Sequence, residues 1–540
     1  MSRRAAIVAS AVLLALYLII ELAYIQRLPL VMDEFLGAHT LEQFANALPY
    51  RDFKPPKTVL AFYAQLPARL AVGDAWNALL AVKREIAVLF AVVLGVAILR
   101  LGRRFETRGV VASLALLVTM STFLERSSEL RTDPLAAMAG LLTLLALMER
   151  RWLVGGTLAA IAFLCTQKGI YVIASAEAAL LILWLRRREG SRAWLRFNAS
   201  AAALVILYVA FWSMFASPAD VLRNMLFDPA VIRIATESLY AIRARFWLQT
   251  LGRNPLFYGV ALASMLHLGR RCWNRQSSSE IETLVSFGTV FVALSLLHKQ
   301  PWPYFFVHLI PILFVINTAG LSDFFSLAGR RVRTAGSVVL AAGIVFSILR
   351  VPVVLQRDQS LQRATFHAAE RLLDEGETYI DGTSMIYTRR QAVADLSWLD
   401  APSLRALQQR DEASQLALVR SIDAARPKLV IENYRTVVLP KLVRMYIGSQ
   451  FAPVWGNILL YAPVVVPPRF HLNHSGLYAV SADAKIDGTI VAGGATVRLR
   501  AGTHAIESSG PVRLRLLPEA VSFDSRFASG GELFPAVYDY

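Results

Sequence analysis

Between residues 5 and 350 the chain runs through eleven apolar stretches separated by short polar segments, and this pattern decides most of what it can fold into. The runs centre on 5–25, 86–100, 109–124, 134–148, 152–167, 169–185, 198–215, 255–269, 282–297, 304–320 and 334–350. Stretches near 20 residues cross a hydrocarbon core of roughly 30 Å as helices, because only a helix satisfies its own backbone there. The expected fold is an α-helical polytopic membrane protein of about eleven transmembrane helices. A composition of 56% hydrophobic and 18% charged residues excludes both a soluble globular enzyme and a disordered chain.

The formal charge of +17 would fit nucleic acid if the cations lined one surface, but they fall in short clusters between the runs. These are Arg3-Arg4, Arg100 to Arg108, Arg150-Arg151, Arg186 to Arg196, Arg270 to Arg275 and Arg330 to Arg333. That is the signature of cytoplasmic loops. Nucleic acid is therefore not a partner, and membrane lipid is. The two cysteines, Cys165 and Cys272, make neither a disulfide framework nor a metal site.

The first run follows Met1-Ser-Arg-Arg without a small-residue cleavage site, so it reads as an uncleaved span with a cytoplasmic N-terminus. Thr58 to Val72 decides the orientation of everything after it. It is about fifteen residues long and broken by Gln65, Pro67 and Arg69, which suits the membrane surface better than its centre. Laid flat, it leaves all six basic clusters inside. The loops 26–85, 125–133 and 216–253, Lys168, the HKQPWPY turn and the C-terminal part then share the outer side.

After about Leu355 no run is long enough to span, and charged, Pro and Gly residues recur. The expected organisation is a membrane domain over 1–354, an outer α/β domain over 355–465 and a small β-rich domain over 466–540. Helical stretches at 360–376 and 402–424 alternate with strand-like TYIDG and KLVIENY. From Gly476 onward, period-two alternation broken by Asp-Gly and Gly-Gly turns predicts a β-sandwich-like antiparallel arrangement. APVVVPPR, ending at Arg469, reads as the hinge between these parts.

Two acidic groups stand at span ends. Asp33-Glu34 follows the first run; carboxylates at a hydrocarbon edge are costly to dehydrate, which favours a role as base, metal ligand or counter-charge. The structural alternative is that Asp33 caps a helix from Phe35 to Ala47, with Glu34 in its first turn. Nearly one hundred residues on, LERSSELRTDP carries Glu125, Glu129 and Asp133, where Asp133-Pro134 reads equally as a helix start. Both groups share the outer side in the topology above. The outer cations Arg51, Lys54, Lys57, Arg131 and Lys168 are candidates for binding a phosphate, although Lys168 also reads as a lysine snorkelling from a short span. Trp302 and Tyr304 fit an aromatic belt as well as a ligand site. His39, His298 and His308 have no zinc spacing, so the residues name no metal site.

In order and context these motifs resemble the integral-membrane glycosyltransferases of the GT-C class, in particular the branch of protein O-mannosyltransferases and lipid A aminoarabinose transferases. The series is MDEF, YRDFKPPK, a span ending RLGRR, ELRTDP, TQKG and HKQPWPYFFVHLIP. It covers residues 1–190 and, more loosely, 295–320. The resemblance implies a polyprenyl-phosphate sugar donor used on the outer face of a bacterial inner (plasma) membrane, with a lipid, glycan or protein acceptor. It implies Asp33 as base or acceptor-orienting group, Glu34 as its support and Asp133 as second acid. Lys54, with Lys57, Arg131 and Lys168, would hold the donor phosphate, and Arg51 and Tyr304 would line the substrate pocket. Direct displacement would invert the anomeric centre. The resemblance names no certain cofactor and leaves a divalent metal open. One departure is that Phe53-Lys54 precedes the Pro-Pro pair, where the family often carries an acid or His. A transporter or flippase for lipid-linked or anionic substrates, or a non-catalytic envelope assembly factor, are the competing readings.

Overall fold

The computed structural model describes residues 1–228, 240–519 and 521–535. Ten of the eleven apolar runs are each centred on one helix: Arg3–Arg27, Ala75–Leu101, Asp133–Met148, Trp152–Cys165, Ile170–Leu185, Ser191–Trp212, Pro255–Trp273, Ser279–Leu296, Phe306–Leu327 and Arg330–Ile348; the run 109–124 is divided between Thr107–Val118 and Ser121–Arg126 by a break at Thr119-Met120. Six helical segments among the described residues are long and apolar enough to cross a membrane, and Thr107–Val118, Asp133–Met148 and Trp152–Cys165 are shorter apolar helices. Thr58 to Val72 becomes a helix only over Leu60–Leu70. Eleven residues rise about 16 Å, half a hydrocarbon core.

The chain forms two compact units, residues 1–28 with 40–357, and residues 29–39 with the described residues from Asp358 onward. In the first unit Phe306–Leu327 is the central helix, buried from Phe306 to Ala319 and packed against Thr107–Val118, Asp133–Met148, Pro255–Trp273 and Ser279–Leu296. Close approach is built into its sequence. A side chain at Gly109 would fall 2.3 Å from Ser322 Oγ, and Ser113 Oγ donates to the Phe314 carbonyl at 2.9 Å. By contrast Ser191–Trp212 and Arg330–Ile348 keep Ile206, Leu207, Phe211, Val338, Val339 and Val345 exposed, as lipid-facing helices do.

The second unit holds an α/β part and a β-rich part. Strands β1 (Thr378–Ile380), β2 (Arg390–Gln391), β3 (Pro427–Ile431), β4 (Phe451–Trp455) and β5 (Ile458–Tyr461) form one sheet in the order β2-β1-β3-β5-β4. The first three are mutually parallel and the last two antiparallel. Helix Ser360–Leu372 precedes this sheet; Ala401–Gln408 and Glu412–Ala425, broken at Arg410-Asp411, supply the crossover into β3. Asp400 and Asp411 cap the two crossover helices, accepting from Ser403 N and Ser414 N.

The β-rich part takes in β6 (Val464–Val465), β7 (Arg469–Leu472), β8 (Gly476–Val480), β9 (Ala484–Ile486), β10 (Thr489–Val491), β11 (Thr496–Leu499), β12 (Gly502–Glu507) and β13 (Val512–Leu516). They form two four-stranded antiparallel sheets, β10-β9-β12-β7 and β11-β8-β13-β6. Because β6 and β7 lie in different sheets, the Pro-rich stretch passes the chain from one sheet to the other inside this part. That differs from the hinge expected from its composition: the prolines interrupt a strand course rather than separate two domains.

Candidate functional site

Within the first unit, four separate segments meet at one carboxylate. Asp133 opens the helix Asp133–Met148 with Pro134 beside it, a sequence that reads as a cap. The cap reading does not hold. Thr132 is the cap residue, without a side-chain hydrogen bond, and both Asp133 oxygens point at cations and an imidazole instead. Oδ1 accepts from Lys168 Nζ at 2.6 Å and from His308 Nε2 at 2.9 Å. Oδ2 accepts from Lys57 Nζ and Arg131 Nε, each at 3.4 Å. A carboxylate only accepts, so His308 carries its hydrogen on Nε2. Asp133 is 1% exposed, which makes these donors the replacement for its lost water.

Each donor is aimed by its own local structure. Lys57 sits just before Leu60–Leu70, in a stretch tied down by three hydrogen bonds: Thr58 Oγ1 donates to the Phe163 carbonyl (3.2 Å), Val59 N donates to Tyr208 OH (3.1 Å) and Asn224 Nδ2 donates to the Pro55 carbonyl (2.8 Å). Lys168 lies on the tight turn Gln167–Gly169 between two spans. A side chain at Gly169 would come within 2.3 Å of the backbone of Ala162 and Phe163, so only glycine lets this turn fold back onto the helix before it. Arg131 is fixed by its carbonyl, which accepts from Gln65 Nε2 at 2.8 Å, and its guanidinium lies 3.3 Å above the Tyr304 ring. Lys168 Nζ lies 4.3 Å from the same ring. Tyr304 belongs to the turn Pro303–Phe305 that begins the central helix, and His308 follows one turn later.

Three fixed cations thus surround one carboxylate on largely buried groups. Glu129 adds a second acid, 3.9 Å from Arg131 Nε but already bound to Arg126 at 2.5 Å. Counting Arg126, the cluster carries four cations against two carboxylates. Such a surplus in poorly solvated surroundings attracts an anion of about two charges. The donor set does not fit a divalent metal, since ammonium and guanidinium groups occupy the carboxylate. Among the described residues, no three His, Cys, Asp or Glu side chains converge on a common point.

The remaining residues named from sequence fall elsewhere. Lys54 pairs with Asp228 at 2.6 Å, its side chain 67% exposed, and is not brought to Asp133. Two residues, both prolines, separate Lys54 from Lys57, enough to send them to different partners. Arg51 is exposed and chelated by Asp52, whose carboxyl is pulled down to about 2 by that pairing and by the Leu48 amide. Asp33 and Glu34 belong to the second unit. Their helix is Met32–Asn46, beginning three residues before the expected Phe35, so Asp33 lies in its first turn and does not cap it. Glu34 reaches back to accept from Val31 N at 2.9 Å, the acidic half of a capping box.

His308 is the site residue that the sequence reading missed. Its signal was available: an ionisable side chain inside the apolar run FFVHLIPILF is expensive unless it has a partner. Its partner lies 175 residues away, beyond the reach of any local spacing.

No protein-family model matches the sequence, and no curated protein does. Solved structures do match. ArnT from Cupriavidus metallidurans bound to undecaprenyl phosphate, a lipid A aminoarabinose transferase, aligns over 85% of this chain and 98% of its own, at 11% identity and a TM-score of 0.57. The fold is that of the GT-C membrane glycosyltransferases. The archaeal oligosaccharyltransferase AglB from Archaeoglobus fulgidus, in complex with an inhibitory peptide and a dolichol-phosphate, covers 91% of this chain and 74% of its own, at 12% identity and a TM-score of 0.50. The Archaeoglobus fulgidus oligosaccharyltransferase in complex with Zn and sulfate covers 96% and 99%, at 12% identity and a TM-score of 0.51. With the GT-C fold and several long apolar helices, the chain is an integral membrane protein.

Proposed function

We propose that this GT-C chain is a glycosyltransferase that takes its sugar from a polyprenyl-phosphate-linked donor on the outer face of a bacterial inner membrane. The observation that carries the reading is the cationic cluster around Asp133, built from four separate segments of a GT-C bundle. The solved GT-C structures with undecaprenyl phosphate and dolichol-phosphate support it, because a lipid phosphate is the anion this cluster suits.

In this scheme Lys57, Lys168 and Arg131 hold the donor phosphate. Asp133 spaces the three cations and His308 orients Asp133, so the cluster is pre-set before the anion arrives. Tyr304 gives Arg131 and Lys168 an aromatic floor. The acceptor hydroxyl oxygen attacks the anomeric carbon, the carbon–oxygen bond to phosphate breaks, and its electron pair stays on the phosphate facing the cations. The acceptor proton passes to a carboxylate, a role proposed for Asp33 with Glu34 in support. In-line attack inverts the anomeric centre. Lys54 and Arg51, exposed and engaged by Asp228 and Asp52, lie at the edge of this scheme. No step passes through a metal.

The test is transfer of label from defined polyprenyl-phosphate sugars by the purified protein in lipid, with lipid, glycan and peptide acceptors offered separately. Donor-dependent transfer supports the reading. Donor uptake across the bilayer without any new glycosidic bond would replace it with transport.

A further inference from the structure

The soluble region has been given no chemical part, yet the acidic pair after the first span is built into it. Residues 29–39 pack as part of the second unit. Gln362, in the first turn of helix Ser360–Leu372, clamps the backbone at Leu30 from both sides. Its Oε1 accepts from Leu30 N at 2.8 Å, and its Nε2 donates to the Leu30 carbonyl at 2.9 Å and to the Leu533 carbonyl at 2.9 Å. Leu30 is 1% exposed and Gln362 2%, so no water replaces these bonds. Two residues on, Tyr434 OH donates to Met32 Sδ at 2.7 Å. Phe35 then meets Phe534 edge-on at 6.0 Å, and Phe534 meets Tyr434 at 5.7 Å. Tyr434 itself stands on a braced loop after β3, where Asn433 Nδ2 donates to the Asp381 carbonyl at 2.7 Å and Asn433 Oδ1 accepts from Arg435 N at 2.8 Å.

The segment is therefore held at residues 30, 32 and 35 by three parts of the soluble region: the start of its first helix, the loop after β3 and the stretch at 533–534. Asp33 and Glu34 lie between those anchor points. A backbone pinned on both sides of a dipeptide leaves it little freedom of φ and ψ, and a helix start leaves less. We propose that Gln362 is a positioning residue for the Asp33-Glu34 pair. This rests on the base role proposed for Asp33. Positioning of this kind affects turnover and not donor affinity, since misplacing a reacting group by an ångström costs on the order of a hundredfold in rate.

The experiment uses the full-length protein in lipid and compares Gln362→Leu, Phe534→Ala and Asp33→Asn with the parent. Transfer kinetics are read together with hydrogen exchange of peptides covering residues 29–36. In Gln362→Leu the expected result is at least about tenfold faster exchange at the Leu30 amide and at least about tenfold lower kcat, with donor KM unchanged within about twofold. Phe534→Ala, which removes the ring beneath Phe35 without touching the clamp, should lower kcat in the same way and stands in if Gln362→Leu does not fold. If Asp33→Asn is inactive while Gln362→Leu and Phe534→Ala turn over normally, positioning is refuted and the base role stands. If Asp33→Asn is active, the base role falls, and the catalytic part of this proposal falls with it. Equal damage to kcat and donor KM in both packing variants would mark the contacts as merely structural and also refute the proposal. Unchanged exchange at Leu30 in Gln362→Leu would refute the clamp itself.

Discussion

The Asp133–Lys168 pair allows a double-mutant cycle whose size follows from burial and geometry. Asp133 is 1% exposed and Lys168 Nζ lies 2.6 Å from Oδ1. Replacing Asp133 by Asn keeps the shape but removes the only charge that Lys168, Lys57 and Arg131 share. Three cations then face one another with little water, and stripping one partner from a buried ion pair costs about 3–5 kcal/mol. Lys168→Met is milder, because Asp133 keeps His308, Lys57 and Arg131; the lost charged hydrogen bond is worth about 1.5–3 kcal/mol. In the double variant no Lys168 charge remains to be stranded, so its cost should fall below the sum of the two by about 2 kcal/mol. The assay is unfolding of purified protein in mixed detergent micelles, followed by the fluorescence of its tryptophans, with retained donor binding as a control on the folded state. Additivity within about 0.5 kcal/mol would mean that the pair is not formed in the folded protein, and the phosphate-site argument would lose its centre.

Lys57→Ala should raise donor KM and lower kcat together, each by about tenfold, since a phosphate ligand acts on both bound donor and departing phosphate. Lys54→Ala, which removes an exposed pair with Asp228, should change donor kinetics by less than about twofold; the reverse ranking of the two lysines would move the phosphate site to Lys54. Asp33→Asn should abolish transfer while donor binding persists, because Asn keeps the size of the side chain and loses only its basicity; transfer at the parental rate would take the base role from Asp33. Gly169→Ala should destabilise the first unit by about 1–3 kcal/mol and lower donor affinity, because its Cβ would displace the turn that carries Lys168; a variant with parental melting and donor KM would show that the turn has slack.

The sequence by itself determined the helices. Every apolar run is helical, the run 109–124 as two helices, because run length and polarity are local quantities and the bilayer requirement acts on each segment separately. It also determined that strands and helices alternate after residue 360. What only the tertiary structure decided was the choice of partners. Asp133-Pro134 is a sound helix start in isolation, but the carboxylate is spent on Lys168, His308, Lys57 and Arg131, brought in from 2 to 175 residues away. Lys54 and Lys57 are equivalent in a local reading of KPPK, and the backbone course between them sends one to the surface and the other to the buried acid. Asp33 and Glu34 read as residues of a membrane loop, yet their segment is held by Gln362, Tyr434 and Phe534. Apolar length is written into each segment, whereas the partner of a buried charge depends on which segments pack together, and no local pattern encodes that.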